Sequence, residues 1–331
     1  MILHPAVIAN VIAALVASLM MVYSTYFGLQ IYRHWDLDSG SELQLVLERK
    51  TYLVSTLLSY VFGLQLISLF LFVFTADSLH VLFVGAMCAA GTLNANAFGY
   101  PALILKVFNF LLAGIWLVLN YADNQGYDYP LIRRKYLFLA IIAPFIVTEA
   151  VLSLAYFMNL RADVITSCCG SLFSAERVQG LGSELAALPP RPMLWTFYFT
   201  LAATLLAGTW FYFRKRGGYV YSAATVIAFI VSIVAIISCI SLYIYELPTH
   251  HCPFCIVMEE YHYVGYFLYG LLFGAAVAGG SIAVLLPSRR IESLREVIPG
   301  LVGRLTLTSG ACYLVFAALV TYRIAVSNLI M

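Results

Sequence analysis

Long apolar runs, separated by short polar segments, occupy most of this chain. A helix that rises about 1.5 Å per residue needs about 20 apolar residues to cross the hydrocarbon core of a bilayer. The pattern therefore predicts an all-α, polytopic helical bundle with about nine transmembrane helices, at residues 6–32, 51–75, 79–98, 101–121, 136–160, 193–213, 219–245, 262–286 and 305–328. The third run is the weakest, because Asn94 and Asn96 interrupt it before Pro101, and a re-entrant segment there would leave eight crossings.

The composition excludes a water-soluble fold. Hydrophobic residues make up 63% of the chain and charged residues 10%, whereas a soluble domain carries about 25% charged residues. The net charge of +2 gives no reason to expect a nucleic-acid partner, so the lipid bilayer is the predicted environment. No linker-like stretch divides the sequence, and residues 1–331 are therefore predicted to form a single transmembrane domain with no separate soluble domain.

The basic residues predict the orientation of the chain, because Lys and Arg are enriched in cytoplasmic loops. Ten of them follow the predicted fourth, sixth and eighth helices, and six lie on the opposite side. This places the N-terminus in the cytoplasm, the C-terminus outside, and residues 161–192 and 246–261 on outer loops of a bacterial inner (plasma) membrane. The first run lacks the positive flank of a signal peptide and is interpreted as a retained span.

The seven cysteines fall into two groups. Cys88, Cys239 and Cys312 lie in apolar runs, where a lone cysteine usually packs as a small hydrophobic residue. The other four lie in the two outer loops, as Cys168 and Cys169 in ITSCCGSLF and as Cys252 and Cys255 in PTHHCPFCIVMEE. Because both pairs fall on one side of the membrane, the sequence predicts a shared dithiol site there.

The CPFC motif has a chemical logic of its own. Two cysteines three residues apart can share one helical turn, where they can form a disulfide or hold one ion. Pro253 favours the first helical position, which would place Cys252 at the N-cap, where the helix dipole stabilises a thiolate. Protonated His250 and His251 would stabilise it further. A reactive Cys252 with Cys255 as its resolving partner, a metal site formed by the two His and two Cys, and a static disulfide are the three interpretations.

These motifs resemble those of quinone-linked membrane thiol oxidoreductases, the bacterial disulfide-bond-forming and vitamin K epoxide reductase families. Members of those families have a CxxC at the outer end of a span and a second cysteine pair in a loop. The resemblance implies that Cys252 and Cys255 form the membrane-proximal catalytic pair. It gives Cys168 and Cys169 the role of the catalytic shuttle pair, and it implies a quinone cofactor and an extracytoplasmic thiol protein as partner.

Ionisable residues inside spans are costly, and each is a functional candidate by default. Lys106 in the predicted fourth helix and Glu149 in the fifth can pair, with Asn94 and Asn96 nearby. One interpretation is a structural polar clasp between helices. The other is a quinone headgroup site or a proton route formed by these four residues. We expect the side chains of Lys106 and Glu149 to lie within salt-bridge distance.

Three functions follow from the sequence as alternatives. The first is a membrane thiol–disulfide oxidoreductase that uses the four loop cysteines and is linked to a quinone. The second is a soft-metal (Cu, Zn or Hg) handling or transport protein that uses the same cysteines with His250 and His251. The third is a non-catalytic subunit of a membrane complex with structural disulfides. The first two require a sulfur of the CCG segment to approach Cys252 or Cys255.

Overall fold

The computed structural model describes residues 3–36, 41–161, 164–166 and 188–329, and over this range the chain is helical without β-strands. Ten α-helices occur there in chain order: α1 (Pro5–His34), α2 (Glu42–Ser78), α3 (Ala89–Leu93), α4 (Gly99–Asp123), α5 (Ile132–Met158), α6 (Pro190–Arg214), α7 (Gly218–Ala235), α8 (Ser241–Tyr245), α9 (Val264–Leu285) and α10 (Val297–Val326). Eight spans in this part of the chain are long and apolar enough to cross a bilayer, and π-helical turns at Ile236–Ile240 join α7 and α8 into one of them. The prediction of an all-α polytopic membrane bundle is therefore confirmed.

The third predicted span does not form a transmembrane helix. Helix α2 extends to Ser78, and the 3₁₀ turn His80–Leu82 and the five-residue helix α3 follow it. The Asp77 carboxylate accepts a hydrogen bond from the backbone N–H of Ala89 at 3.2 Å and so closes a loop of chain. Gly85 has φ +87°, a left-handed conformation that a right-handed helix excludes. The helix count thus matches the alternative with eight crossings.

Packing divides the described chain into two compact units. Unit 1 comprises residues 1–73, 96–160 and 284–302, and unit 2 comprises residues 74–95, 161–283 and 303–331. The core of unit 1 lies among α1, α2, α4 and α5 and includes Phe62 and Trp116, whose ring centroids are 4.7 Å apart. A Cβ atom at Gly28 would lie 2.8 Å from Cδ1 of Tyr136, so glycine at this position lets α1 approach α5.

Unit 2 is formed by α6, α7, α9 and most of α10. Two buried tyrosines link α7 and α10, because the Tyr313 hydroxyl donates to Thr225 O at 2.6 Å and the Tyr221 hydroxyl donates to Thr306 O at 3.3 Å. The π-helical turns Ile236–Ile240 are fully buried. Such turns interrupt the regular hydrogen-bond pattern of a helix and are frequent at functional sites. The candidate site of unit 2 is attached to them.

Candidate functional site

The CPFC motif lies in the 246–263 loop between α8 and α9. Residues at both ends of this loop have left-handed backbone conformations, with φ 56° at Glu246, 56° at His262 and 54° at Tyr263. Non-glycine residues keep such conformations only where the surrounding structure imposes them, and they cluster at functional sites. The loop is therefore held in a defined conformation at both ends.

CPFC does not form the helical turn that the sequence predicted. The first helical residues in the motif are those of the 3₁₀ turn Cys255–Val257, which has Phe254 as its N-cap. Cys252 is therefore not an N-cap residue, and it is fully buried, with 0% of its surface exposed. The expectation that a helix N-terminus activates its thiolate was wrong, because Pro253 starts no helix here.

Three hydrogen bonds fix the loop around Cys252. The Tyr245 hydroxyl donates to the carbonyl oxygen of Cys252, and the Tyr269 hydroxyl donates to the carbonyl oxygen of the next residue at 2.7 Å. The imidazole Nδ1 of His251 donates to Ile237 O at 3.1 Å, within the π-helical turns. The loop is thus attached to α8, α9 and the π-helical turns by bonds that do not involve the cysteine sulfurs.

Gly265, at the start of α9, makes room for the turn that follows CPFC. A Cβ atom there would lie 2.7 Å from side-chain atoms of Ile256 and Val257 and 2.8 Å from the carbonyl carbon of Ile256. A backbone atom cannot yield as a flexible side chain can. Any larger residue at this position would therefore displace Ile256 and, with it, the adjacent Cys255.

A third cysteine of unit 2, Cys88, lies beside Cys252 and Cys255. Cys88 precedes α3 in an extended conformation, with φ −163° and ψ −176°, and is 0% exposed. Asp77 fixes this segment on one side through its bond to the N–H of Ala89. Thr166 fixes it on the other, because its backbone N–H donates to Val84 O at 3.0 Å. Cys88 is therefore positioned by local structure that does not depend on its sulfur.

The three sulfur atoms form a cluster, which we call the thiol cluster (Cys88, Cys252 and Cys255). Their Sγ atoms lie within 4.8 Å of one another, and those of Cys88 and Cys252 are 3.6 Å apart. All three residues are thiols in this structure and are buried. Two thiolates that bind one metal ion at about 2.3 Å in tetrahedral geometry lie about 3.8 Å apart. The observed spacing therefore fits a metal-ligand set.

His250 adds a nitrogen beside the thiol cluster. Its Nε2 lies 3.3 Å from Cys255 Sγ, and its ring packs edge-on against Tyr245 with centroids 4.6 Å apart. Burial lowers the pKa of His250 below its ordinary value, an effect that His251 reinforces and Cys88 opposes. The neutral imidazole is thus favoured, and this is the form that coordinates a metal ion.

Cys88 is the member of the cluster that sequence reasoning missed. It was assigned to the interior of an apolar span, whereas it lies in the interruption after α2. The available signal was the pair Gly85 and Gly91 on either side of it, since glycines at such spacing weaken a helix. Cys168 and Cys169 lie outside the described residues, and the approach of CCG to CPFC stays a prediction.

In unit 1, Lys106 and Glu149 form a buried ion pair. Lys106 Nζ is 2.6 Å from Glu149 Oε1, and both side chains are 2% exposed. Lys106 also donates to Ser68 Oγ at 3.0 Å, and the second carboxylate oxygen of Glu149 accepts hydrogen bonds from the amides of Gln65 and Asn109. The prediction that the two charges lie within salt-bridge distance is confirmed.

The two asparagines that the sequence grouped with this pair have other contacts. Asn96 Nδ2 donates to Tyr156 O at 3.0 Å, and Asn96 Oδ1 accepts from the N–H of Phe98 at 3.0 Å. Asn94 follows the last residue of α3 and is exposed. Asn96 therefore satisfies a carbonyl in the last turn of α5 and stabilises the turn before α4, which are structural roles.

A second buried ion pair in unit 1 was missed. Lys135 Nζ is 2.6 Å from Asp123 Oδ2, and both side chains are 0% exposed. Lys135 also donates to Asn120 Oδ1 at 3.0 Å, and Asp123 Oδ1 accepts from the N–H of Leu131 at 2.8 Å. Sequence reasoning counted Lys135 among the basic loop residues. Its charge is instead neutralised inside the unit.

Comparisons of the chain with protein-family models, with curated proteins and with solved structures give no match. The functional interpretation therefore depends on the residues and their geometry. The functional interpretation is based on two groups of buried polar side chains, which are the thiol cluster of unit 2 and the two ion pairs of unit 1.

Proposed function

We propose that this is a membrane-embedded metal-binding protein, which holds one soft metal ion at the thiol cluster with His250 as the fourth ligand. The observation that carries the proposal is the mutual spacing of the three sulfur atoms, all within 4.8 Å of one another. Thiolate ligands select soft or borderline ions such as Cu(I) and Zn(II). An ion at about 2.3 Å from each sulfur needs only small side-chain movements.

Burial supports a metal ion as the occupant of this site. Cys88 and Cys252 are both 0% exposed, so the disulfide of a protein partner has no direct approach to their sulfurs. Buried thiolates are costly unless a cation accompanies them, and a coordinated metal ion deprotonates its thiols. Tyr245, Tyr269 and His251 orient the loop in the way that supporting side chains orient the ligands of metal sites.

The donor set narrows the choice of metal. Three thiolates suit Cu(I) or Hg(II), whereas three thiolates with one imidazole form the closed four-coordinate set of Zn(II). The position of His250 Nε2, 3.3 Å from Cys255 Sγ, supports the second set. A closed shell leaves no position for a substrate, so the role that we propose is to bind and pass on the ion rather than to catalyse with it.

We place the thiol cluster on the outer face of a bacterial plasma membrane. If the eight spans found among the described residues are the crossings, the segments at 83–98 and 246–263 fall on one side. The segments rich in Lys and Arg fall on the other, at 33–50, 133–134, 214–216 and 289–295. Since basic segments mark the cytoplasmic side, the cysteine segments face outward. In this proposal both termini lie outside, whereas nine crossings would place the N-terminus in the cytoplasm.

Metal content of the purified protein tests the proposal. The protein is reduced in detergent, incubated anaerobically with Zn(II) or Cu(I), desalted and analysed for metal per chain. A Cys168→Ser, Cys169→Ser background removes the two cysteines outside the described residues. We expect about one ion per chain in this background, as a single four-coordinate site requires.

Single substitutions in that background locate the site. Cys88→Ser and Cys252→Ser should each abolish retention of the ion, because each removes one of three thiolate ligands. Cys312→Ser is the matched control, since Cys312 is a half-buried thiol of α10 outside the cluster, and it should retain the ion. Full retention in Cys88→Ser would contradict the proposed ligand set.

Thiol–disulfide exchange is a second candidate function, and one distance favours it. The sulfurs of Cys88 and Cys252 are 3.6 Å apart, so a bond of about 2.05 Å between them needs about 1.5 Å of movement. Oxidation would remove two protons and two electrons from the thiols, and a quinone would accept them and become a quinol. Because both sulfurs are buried, a small-molecule dithiol rather than a protein would then reduce the disulfide by giving up two protons and two electrons.

Peptide mapping after oxidation tests this second function. The metal-free protein is treated with a soluble quinone, alkylated, digested and analysed by mass spectrometry. A disulfide between Cys88 and Cys252, formed with one quinol released per bond, would support exchange. Thiols that stay reduced in excess quinone would contradict it and leave metal binding as the function of the cluster.

A further inference from the structure

Unit 1 carries two buried ion pairs that the proposed metal site does not use. Helix α4 supplies Lys106 and Asp123, and α5 supplies Glu149 and Lys135, so both pairs link the same two helices. Lys135 and Glu149 are 14 residues apart on α5, which corresponds to about 21 Å at about 1.5 Å per residue. The pairs therefore mark two levels that are separated by much of the thickness of a hydrocarbon core.

A line of hydrogen bonds leads away from the Lys135–Asp123 pair. Lys135 Nζ donates to Asn120 Oδ1 at 3.0 Å, and Asn120 Nδ2 donates to Ser59 Oγ at 2.9 Å. Gln65, which donates to Glu149, follows Ser59 by six residues on α2, or about 9 Å along the helix. Polar side chains thus bridge most of the distance between the two levels.

A crevice between α1 and α2 lies at the level of the remaining gap. It has room for about one water molecule. Its lining consists of Ala13, Val16, Ala17, Val61, Leu64 and Gln65. Five of these six residues are apolar, so Gln65 is the one lining side chain that could bond a water molecule there.

At the level of the Lys106–Glu149 pair, the side chain of Asn109 has an unused hydrogen-bond acceptor beside Glu149. Asn109 Nδ2 donates to Glu149 Oε2 at 2.7 Å, while Asn109 Oδ1 is buried and has no hydrogen-bond partner among the described residues. A half-turn of the side-chain amide of Asn109 brings Oδ1 to the position of Nδ2, so that an acceptor faces Glu149 in place of a donor. Asn109 can therefore bond Glu149 as a carboxylate, through Nδ2, and as a carboxylic acid, through Oδ1.

Two buried hydroxyls continue the line along α5 beyond Glu149. Ser153 Oγ and the Tyr156 hydroxyl have no hydrogen-bond partner in the described part of the chain. They follow Glu149 by four and seven residues, which places them on the same face of the helix. Buried polar atoms are nearly always paired, with water where no protein group serves. These hydroxyls are therefore binding positions for water that leads to the Lys106–Glu149 pair.

From these observations we propose that unit 1 conducts protons across the membrane through Lys106 and Glu149. Lys106 transfers a proton to Glu149, so that an N–H bond breaks, an O–H bond forms and the pair becomes neutral. Glu149 then gives this proton to a water molecule on the side of Asn109, so that its O–H bond breaks and a hydronium ion leaves, while Lys106 binds a new proton that arrives from the side of Tyr156. One proton enters and one leaves, so a proton gradient drives the step and no other reactant is needed.

Flux through the reconstituted full-length protein tests this proposal. Liposomes that contain the protein and the pH dye pyranine receive a K⁺ diffusion potential from valinomycin, and the rate of internal acidification is measured. We expect a wild-type rate well above that of protein-free liposomes. Glu149→Gln should lower the protein-dependent rate about 100-fold, a usual contribution of a positioned acid–base group. The double variant Lys106→Met, Glu149→Gln, which leaves no buried charge without a partner, should lose the flux equally.

Two further variants separate transport from folding. Tyr156→Phe removes a hydroxyl without a hydrogen-bond partner in the described residues, so the fold is kept while the rate falls several-fold. Thr148→Ala removes an exposed hydroxyl of α5 that bonds its own helix at Pro144 O, and the rate should not change. Wild-type flux equal to that of protein-free liposomes, or a double variant that conducts like the wild type, would overturn the proposal. Neither result bears on metal binding.

Discussion

The two units bury polar groups in opposite ways. Unit 1 buries two lysines and two carboxylates, and each charge meets its opposite at 2.6 Å. Unit 2 buries three thiols within 4.8 Å of one another. The two charges of an ion pair neutralise each other, whereas three buried thiols can ionise together only around a cation. This difference is the basis for assigning internal proton transfer to unit 1 and the capture of an external ion to unit 2.

The largest effect is expected where a substitution leaves a buried charge without its partner. Lys106→Met should destabilise the protein by about 3–5 kcal/mol, because the carboxylate of Glu149 stays buried without a cation. The double variant Lys106→Met, Glu149→Gln should lose less than this single variant. Unfolding in detergent micelles, followed by circular dichroism, measures the free energies of the wild type, of Lys106→Met, of Glu149→Gln and of the double variant. Losses that simply add would show that the two residues are not coupled.

A metal ion should stabilise unit 2 in the way that a partner charge already stabilises unit 1. At a free concentration about 100 times its dissociation constant, the bound ion should raise the free energy of unfolding by about 2.7 kcal/mol. Cys88→Ser should lose this response, and Cys312→Ser should keep it. Thermal scans with and without Zn(II) or Cu(I) provide the measurement. An equal response in Cys88→Ser would place the bound ion elsewhere.

A smaller effect is expected from the side chains that hold the CPFC loop. Tyr269→Phe removes the hydroxyl that donates to Pro253 O, and metal affinity should fall about tenfold, as it does when a residue that supports metal ligands is lost. Tyr219→Phe, at an exposed position of α7, is the matched control. Competition with a chelator measures both affinities. If both variants bind as the wild type does, the hydroxyl of Tyr269 does not orient the ligands.

The smallest effect concerns an exposed carboxylate at the start of the same loop. Hydrogen bonds from the backbone N–H and side-chain amide of Asn328 lower the pKa of Glu246. A carboxylate with a lowered pKa stabilises the folded state above its ordinary pKa, and this stabilisation is lost as the pH falls through the lowered value. The difference in thermal midpoint between wild type and Asn328→Ala should therefore shrink between pH 6 and pH 3. A constant difference would show that the amide acts without Glu246.

The sequence predicted the membrane class and the Lys106–Glu149 pair because both depend on local composition and on the cost of a buried charge. It gave the failure of residues 79–98 to span only as an alternative, since hydropathy does not detect the loop that is closed by the hydrogen bond between Asp77 and Ala89. The thiol cluster was missed for a related reason. Cys88 and Cys252 are 164 residues apart in the chain, and no local pattern links such positions.

X-ray absorption spectroscopy of the metal-loaded protein tests the central claim most directly, because it counts the atoms bound to the ion. In the Cys168→Ser, Cys169→Ser background, Zn(II) should show three sulfur neighbours at about 2.3 Å and one nitrogen at about 2.0 Å. Adding Cys88→Ser should leave at most two sulfurs on any ion that remains bound. A shell of nitrogen and oxygen alone, or three sulfurs that persist without Cys88, would contradict the claim.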